Sequence, residues 1–278
     1  MSFVATAQIP AKKLPDENKT SPDKHLVSII TPAYNSQQFI EETISSVQSQ
    51  TYPNWEMLII DDCSEDNTPE VLARIARSDQ RIIWKRHDKN TGIALSRNDA
   101  LKMANGRFIA FLDHDDVWLP RKLERQIGFM LEHNYHFTYT AYDRISEDGR
   151  FVNHIPAPEQ ITYHDFLKNT IIGCLTVVID RQYFAELSFE PILSNDLALW
   201  IKLLKFGNAH GIQENHAKYR IVKGSASQNK IKTAGSLWFI YRKIEKLSLI
   251  YSIYCLFFWA LNAAVKRLHS TKPYLLIL

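Results

Sequence analysis

Phe108-Ile109-Ala110-Phe111-Leu112-Asp113-His114-Asp115-Asp116, continued by Val117-Trp118-Leu119-Pro120, is the stretch on which the reading of this chain turns. Five apolar residues in a row read as a strand buried on both faces, and three carboxylates follow where such a strand leaves its sheet. Carboxylates crowded this closely repel one another. The arrangement therefore calls for a divalent cation with phosphate oxygens on its far side. The plain alternative is a solvated loop that happens to be acidic.

Upstream, the same grammar repeats. Val27-Ser28-Ile29-Ile30 reads as a strand broken into a loop by Thr31-Pro32-Ala33-Tyr34-Asn35, and Phe39, Ile40, Ile44 and Val47 keep helical spacing as far as Gln48. Glu56 to Ile60 is a second strand leaving through Asp61-Asp62, and Thr68-Pro69 opens a helix with threonine as its cap. Arg81 to Trp84 is a third strand; after Asn90-Thr91-Gly92 a helix runs from Ala94 to Ala104 and stops at Asn105-Gly106. Strands alternating with helices, through connections too long for hairpins, predict an open, mainly parallel sheet covered by helices. Ligands of such sheets sit beyond the carboxyl ends of the strands, so three polar loops should converge on one crevice.

Downstream the pattern becomes mixed: a helix Lys122 to Glu132, a hairpin of Phe137–Tyr142 with Arg150–Val152, a strand Leu175–Ile179 and a helix Asp196–Phe206. The expected divisions are a mobile tail over 1–24, a parallel strand–helix part over 25–120, a mixed part over 121–235, and a C-terminal helix over 236–278. That helix includes the uncharged run Leu247 to Val265, interrupted by Ser248, Ser252 and Asn262 on one side, with Tyr251, Tyr254 and Trp259 as residues for a lipid interface. A helix lying on a membrane is the first reading; packing on the domain, or on a second copy in a homo-oligomer, is the other.

The chain has 278 residues and a net charge of +3, but residues 218–278 hold eleven Lys or Arg against the single acid Glu245, which is +10, leaving −7 for the rest. A basic end suits anionic lipid or a phosphorylated substrate, and no RNA-binding pattern accompanies it, so nucleic acid is not an expected partner. Three widely spaced cysteines, Cys63, Cys174 and Cys255, fit a reducing compartment. The first 24 residues contain no apolar run resembling a signal peptide.

Four words in register, Val27–Asn35, Ile59-Ile60-Asp61-Asp62-Cys63-Ser64, Asn90-Thr91-Gly92 with Ser96-Arg97-Asn98, and Phe111–Asp116, make the chain resemble the inverting glycosyltransferases of family 2, in the branch that builds bacterial cell-surface polysaccharides. The resemblance implies an α/β GT-A nucleotide-diphospho-sugar transferase fold with a C-terminal helical extension. It implies Mn2+ or Mg2+ on Asp113 and Asp115, a UDP-sugar donor, and a glycan or lipid-linked acceptor at the cytoplasmic face of the inner membrane. It further implies a nucleotide pocket made by Thr31, Pro32, Ala33, Tyr34, Asp62, Arg97 and Asp113, in which Asp62 accepts from the uracil imide. Asp196 becomes the catalytic base, although Asn195 stands where family members commonly carry Glu. Trp200 either stacks on the acceptor sugar or fills the core. Asp116 caps the following turn, His114 is a loop residue, and Lys218, Tyr219 and Arg220 close over the diphosphate.

Two other classes compete. Leu112-Asp113-His114-Asp115-Asp116-Val117 also satisfies the haloacid-dehalogenase phosphatase pattern, in which Asp113 would be a phosphorylated nucleophile on the first strand of its domain. A non-catalytic nucleotide- or glycan-binding module would need the acids but not Asp196.

Overall fold

The computed structural model describes residues 25–184, 186–222 and 230–268. The tail expected over 1–24 and the end of the C-terminal segment beyond 268 lie outside them. In chain order the first half is β1 (Val27–Ala33), α1 (Ile40–Gln48), β2 (Trp55–Asp61), α2 (Thr68–Ser78), β3 (Ile82–Arg86), α3 (Ile93–Met103) and β4 (Phe108–Phe111). The second half is β5 (Val117–Trp118), α4 (Lys122–His133), β6 (Phe137–Ser146), β7 (Phe151–Ile155), β8 (Gln160–Ile161), α5 (Tyr163–Lys168), β9 (Val178–Asp180), α6 (Asn195–Leu204), β10 (Ala209–Ile221), α7 (Lys230–Phe239) and α8 (Leu249–Leu268), with a π-helical turn over Ile240–Ile244.

One sheet runs in the order β3-β2-β1-β4-β9-β6-β10-β5, with β7 hairpinned on β6 and β8 paired with β10. The first four strands are parallel. β9 is antiparallel to both β4 and β6, and so carries the sheet from the first half of the chain into the second. β1, β2 and β4 are buried at every position, which is why they read as near-continuous apolar runs. Alternate side chains serve opposite faces. Ile30, Leu58, Ile109 and Phe111 pack with α6 and the C-terminal helices, while Ile29, Met57, Phe108 and Ala110 pack with α1, α2 and α4.

Several expectations need correction. β1 does not break at Thr31 but stays paired to β2 as far as Ala33↔Asp61. Pro32 is tolerated because its side of the strand faces β4, where pairing has already ended at Ile30↔Phe111, so no ladder bond is lost. Thr68 is the first residue of α2, not its cap: its hydroxyl accepts from the Ser36 N–H and donates to Asp66. The strand expected over 175–179 is a 3-10 turn, Cys174–Thr176, followed by the shorter β9.

The C-terminal helix packs on the domain through the side that bears its polar interruptions. Ser252, Cys255, Trp259 and Asn262 are buried. The Trp259 indole N–H donates to Thr170 Oγ1 at 3.0 Å and the Asn262 amide to the Lys168 carbonyl at 3.3 Å, so Trp259 anchors the helix to α5 and its loop and is not at a lipid interface. Among the described residues no helix is long and apolar enough to cross a membrane.

Candidate functional site

The exits of β1 and β2 are stitched together. Asn35, at φ 48°, accepts from the Glu65 N–H through Oδ1 and donates its own N–H to Ser64 Oγ, each at 2.9 Å. Gln37 and the 66–67 turn exchange two more bonds. Fully buried Asp61 binds the Ser64 hydroxyl and lies 3.2 Å from Arg86. It props the loop, while Asp62 beside it turns to partners on the next strand and helix. Tyr34, 41% exposed, is the large side chain that the first loop leaves open.

Asp62 is 4% exposed and heavily solvated by protein. Its Oδ1 accepts from His87 Nδ1 (2.8 Å), the Thr91 N–H (2.9 Å) and the Thr91 hydroxyl (3.0 Å), and its Oδ2 from the Gly92 N–H (2.7 Å). Burial pushes this carboxyl up, but the bonds from His87, Thr91 and Gly92 outweigh it and hold its pKa below the usual range. Of roughly four lone-pair sites on a carboxylate, one on Oδ2 is left for a further donor. Gly92 sits at φ 90°, a conformation an L side chain rarely adopts, and so aims its N–H at Asp62 from the start of α3. His87, whose Nε2 pairs with Asp99 at 3.1 Å, was not foreseen; it orients Asp62 from a strand end rich in unremarkable charges.

The acidic loop after β4 is clamped from three sides. The Thr43 hydroxyl of α1 points at the carbonyls of His114 (2.9 Å) and Asp116 (2.8 Å), and His114 Nδ1 donates to the Pro32 carbonyl at 3.2 Å. Arg220 of β10, 3% exposed, donates to the Asp115 and Glu147 carbonyls and to Glu42, and its own N–H reaches Asp116. Arg220 is thus a buttress of the loop and not a lid, and Asp116 anchors β10 instead of capping a turn. Burial pushes the Asp116 carboxyl well above its ordinary value, with Asp115 and Asp113 adding to the effect. Asp115 is raised as well, first by burial and further by Asp113, against the opposing charges of His114 and Arg220.

Arg97 joins this loop to the start of α6. Its guanidinium donates to Asp113 Oδ1 at 2.6 Å and to Asn195 Oδ1 at 2.7 Å, and is itself 3% exposed. Arg97 therefore does not reach out to a nucleotide; it acts through Asp113. Asp196, next to Asn195 in the first turn of α6, is half-buried; Ser194, the N-cap residue, makes no side-chain cap bond, and the Asp196 carboxyl itself accepts from the Leu197 N–H of that turn. Burial raises the Asp196 carboxyl; Arg97 and the Leu197 N–H partly oppose this and Asp113 adds to it. A buried carboxyl raised in this way, beside Asp113 and Arg97, is a candidate for proton transfer.

Other candidates are withdrawn from the cleft. Trp200 is fully buried against Phe111, Phe137 and Phe189, which makes it a core residue and not an acceptor platform. Thr31 is 0% exposed and its hydroxyl has no partner; Pro32 and Ala33 are likewise buried in the strand, so none of the three opens a side chain to a base. A groove of about 720 Å³ between α4 and β10, lined by Tyr135 and His210 among others, holds none of the acids above.

Among the described residues no cluster of three or more His, Cys, Asp or Glu side chains forms a closed metal cage. Asp113 and Asp115 instead offer two hard oxygen donors at a strand exit. That set fits Mg2+ or Mn2+ completed by a substrate's phosphates.

The model of glycosyl transferase family 2 matches residues 28–186. A Bacillus subtilis (strain 168) protein, provisionally named the teichuronic acid biosynthesis glycosyltransferase TuaG, is 47% identical over 248 residues, covering 88% of this chain and 98% of its own. The Escherichia coli UDP-Glc:alpha-D-GlcNAc-diphosphoundecaprenol beta-1,3-glucosyltransferase WfgD is 45% identical over 221 residues, covering 78% of this chain and 85% of its own. In fold, the chain superposes on S. aureus TarS 1-349 in complex with UDP-GlcNAc with a TM-score of 0.66 at 20% identity, over 89% of this chain and 73% of that one. The mannosyltransferase PcManGT from Pyrobaculum calidifontis, in complex with GDP-Man and Mn2+, gives 0.62 at 18% identity, over 90% and 76%. A phosphatase of the dehalogenase type would carry Asp113 on its first strand, and here that strand is the fourth. Strand order, the acids at the strand exits and these likenesses agree: the chain is a glycosyltransferase with the GT-A fold and belongs to glycosyl transferase family 2.

Proposed function

We propose that this protein transfers a sugar, with inversion, from a UDP-sugar to a hydroxyl of a lipid-linked glycan, at the cytoplasmic face of the membrane where a surface polysaccharide is assembled. The single observation that supports the reading is the Arg97 bridge, which links Asp113 of the β4 exit to Asn195, the neighbour of Asp196 at the start of α6. A relative that glucosylates a diphosphoundecaprenol-linked sugar supports the acceptor class, and the UDP-GlcNAc seen in a structure of like fold supports the donor class.

On this reading residues 25–120 hold the donor and residues 121–235 supply the base. Tyr34 offers a face to the base, and the remaining lone pair on Asp62 Oδ2 accepts the imide N–H that distinguishes uracil from cytosine. Asp115 and Asp113 would hold Mn2+ or Mg2+, whose positive charge would favour departure of the diphosphate. Asp196 removes the proton from the acceptor hydroxyl as its oxygen attacks the anomeric carbon from the side opposite the leaving group. Asn195, being neutral, leaves the Arg97 charge to be shared by Asp113 and Asp196.

A thermal-shift panel of UDP, CDP, GDP and ADP, run with manganese and with a chelator, tests the donor. At one hundred times its Kd a ligand adds about 2.7 kcal/mol, or roughly 5–10 °C for a chain of this size. UDP-selective, chelator-sensitive stabilisation is expected. Stabilisation by another nucleotide, or by none, overturns the reading.

A further inference from the structure

The solvent side of α8 is apolar from Leu249 to Ala264. Leu249 (53%), Ile250 (82%), Ile253 (54%), Tyr254 (45%), Phe257 (62%) and Leu261 (36%) are exposed, and at 100° per residue they fall on one arc of about 140°. Ala260 and Ala264 share that arc, and it carries no charged side chain. The polar residues Ser252 and Asn262 lie on the opposite side, buried in the protein. This is the reverse of a helix meant to face water, where the apolar stripe would be the buried one.

The charges at the ends of the stripe identify what covers it. Exposed Lys243 and Lys246 precede α8, Lys266 and Arg267 stand in the sequence at its far end, and residues 218–278 carry +10 in total. A second copy meeting this face would press two strongly positive ends together. An anionic bilayer would accept both the apolar arc and the lysines.

We propose that α8 is a monotopic membrane-docking helix which lays the Leu249–Leu261 arc into the headgroup region of an anionic leaflet, with Lys243 and Lys246 on lipid phosphates. This deepens the reading above and rests on it only for why the enzyme should be at a membrane. The interior-facing polar side makes the docking surface part of the folded domain, so the catalytic cleft is held at a fixed orientation to the bilayer.

The test is cosedimentation of the full chain with vesicles of phosphatidylglycerol and phosphatidylethanolamine, or of phosphatidylcholine alone, without donor or acceptor. Binding to the anionic vesicles, weakened by salt, is expected. Ile250→Glu with Phe257→Glu should weaken it at least about tenfold, the loss of burying two large side chains. Lys243→Glu with Lys246→Glu should remove the preference for anionic lipid. All four positions are exposed, and a urea-unfolding midpoint unchanged from the parent, measured without nucleotide, verifies that each variant is folded. Vesicle binding that is absent, or equal in parent and Ile250→Glu/Phe257→Glu, overturns the proposal. So does a dimer, seen by light scattering, that those two substitutions dissociate. None of these outcomes bears on nucleotide binding, so the docking and transfer readings fail separately.

Discussion

Replacing Arg97 with methionine removes the guanidinium that bridges Asp113 and Asn195. The guanidinium is 3% exposed and the Asp113 side chain 24%, with 2.6 Å between them. At charge centres about 4 Å apart and an effective dielectric near 20, the attraction is about 4 kcal/mol. Removing one partner of a buried pair costs about 3–5 kcal/mol, and the partial exposure of Asp113 places this case at the lower end, about 3 kcal/mol. That corresponds to a fall in Tm of roughly 6–12 °C. Urea unfolding followed by tryptophan fluorescence reads it directly. The same change should raise the acidic limb of the pH–rate profile for transfer, because Arg97 opposes the upward push of burial on Asp196 and favours its ionised form. Manganese should restore more stability to the variant than to the parent, since a cation then returns to Asp113. A variant within 0.5 kcal/mol of the parent, with an unmoved acidic limb, would show that the bridge is a surface-grade ion pair and that the cleft is not organised by it.

Asp196→Asn should keep UDP binding and lower transfer about 10²- to 10⁴-fold; in the parent, activity should be lost on acidification at a pH above the ordinary aspartate range, as expected for a carboxyl raised by burial. Gly92→Ala places an L side chain at φ 90° with nothing to clash against, so its cost is conformational, about 1–3 kcal/mol in urea unfolding, and UDP binding should weaken as the N–H to Asp62 is misaligned. Lys122 is fully buried and its pKa is lowered to about 7 by burial, whereas an unfolded lysine keeps its proton to about 10.4. The unfolded state therefore holds more protons between these values, and stability should rise with pH, by about 2 kcal/mol from pH 7 to pH 9. In Lys122→Met that rise should vanish; an identical slope in both proteins refutes the assignment.

The parallel half of the sheet was legible because buried strands announce themselves as apolar runs and each is closed by turn residues. The acids at their ends were legible for the same reason, since a carboxylate following a fully buried strand is conspicuous. What sequence could not display is who holds those acids. Arg97 and Asn195 are 98 positions apart, Arg220 and Glu42 are 178 apart, and Thr43 looks like any other helix residue until α1 is packed on the loop. Trp200 shows the converse: an aromatic one turn beyond the base suits a sugar platform or a core equally, and only the three rings around it decide.

Pro32 has a consequence beyond its tolerance in β1. The next rung between β1 and β4 would require an N–H at residue 32, and proline has none. The two strands behave like a zipper with a missing tooth: they are locked as far as Ile30 and Phe111 and part from there on, with the His114 ring resting on the Pro32 carbonyl across the split. The parting of the two strand ends, next to the loops that bear Tyr34 and Asp113, is therefore written into the covalent chain, and widening it at residue 32 breaks no backbone bond.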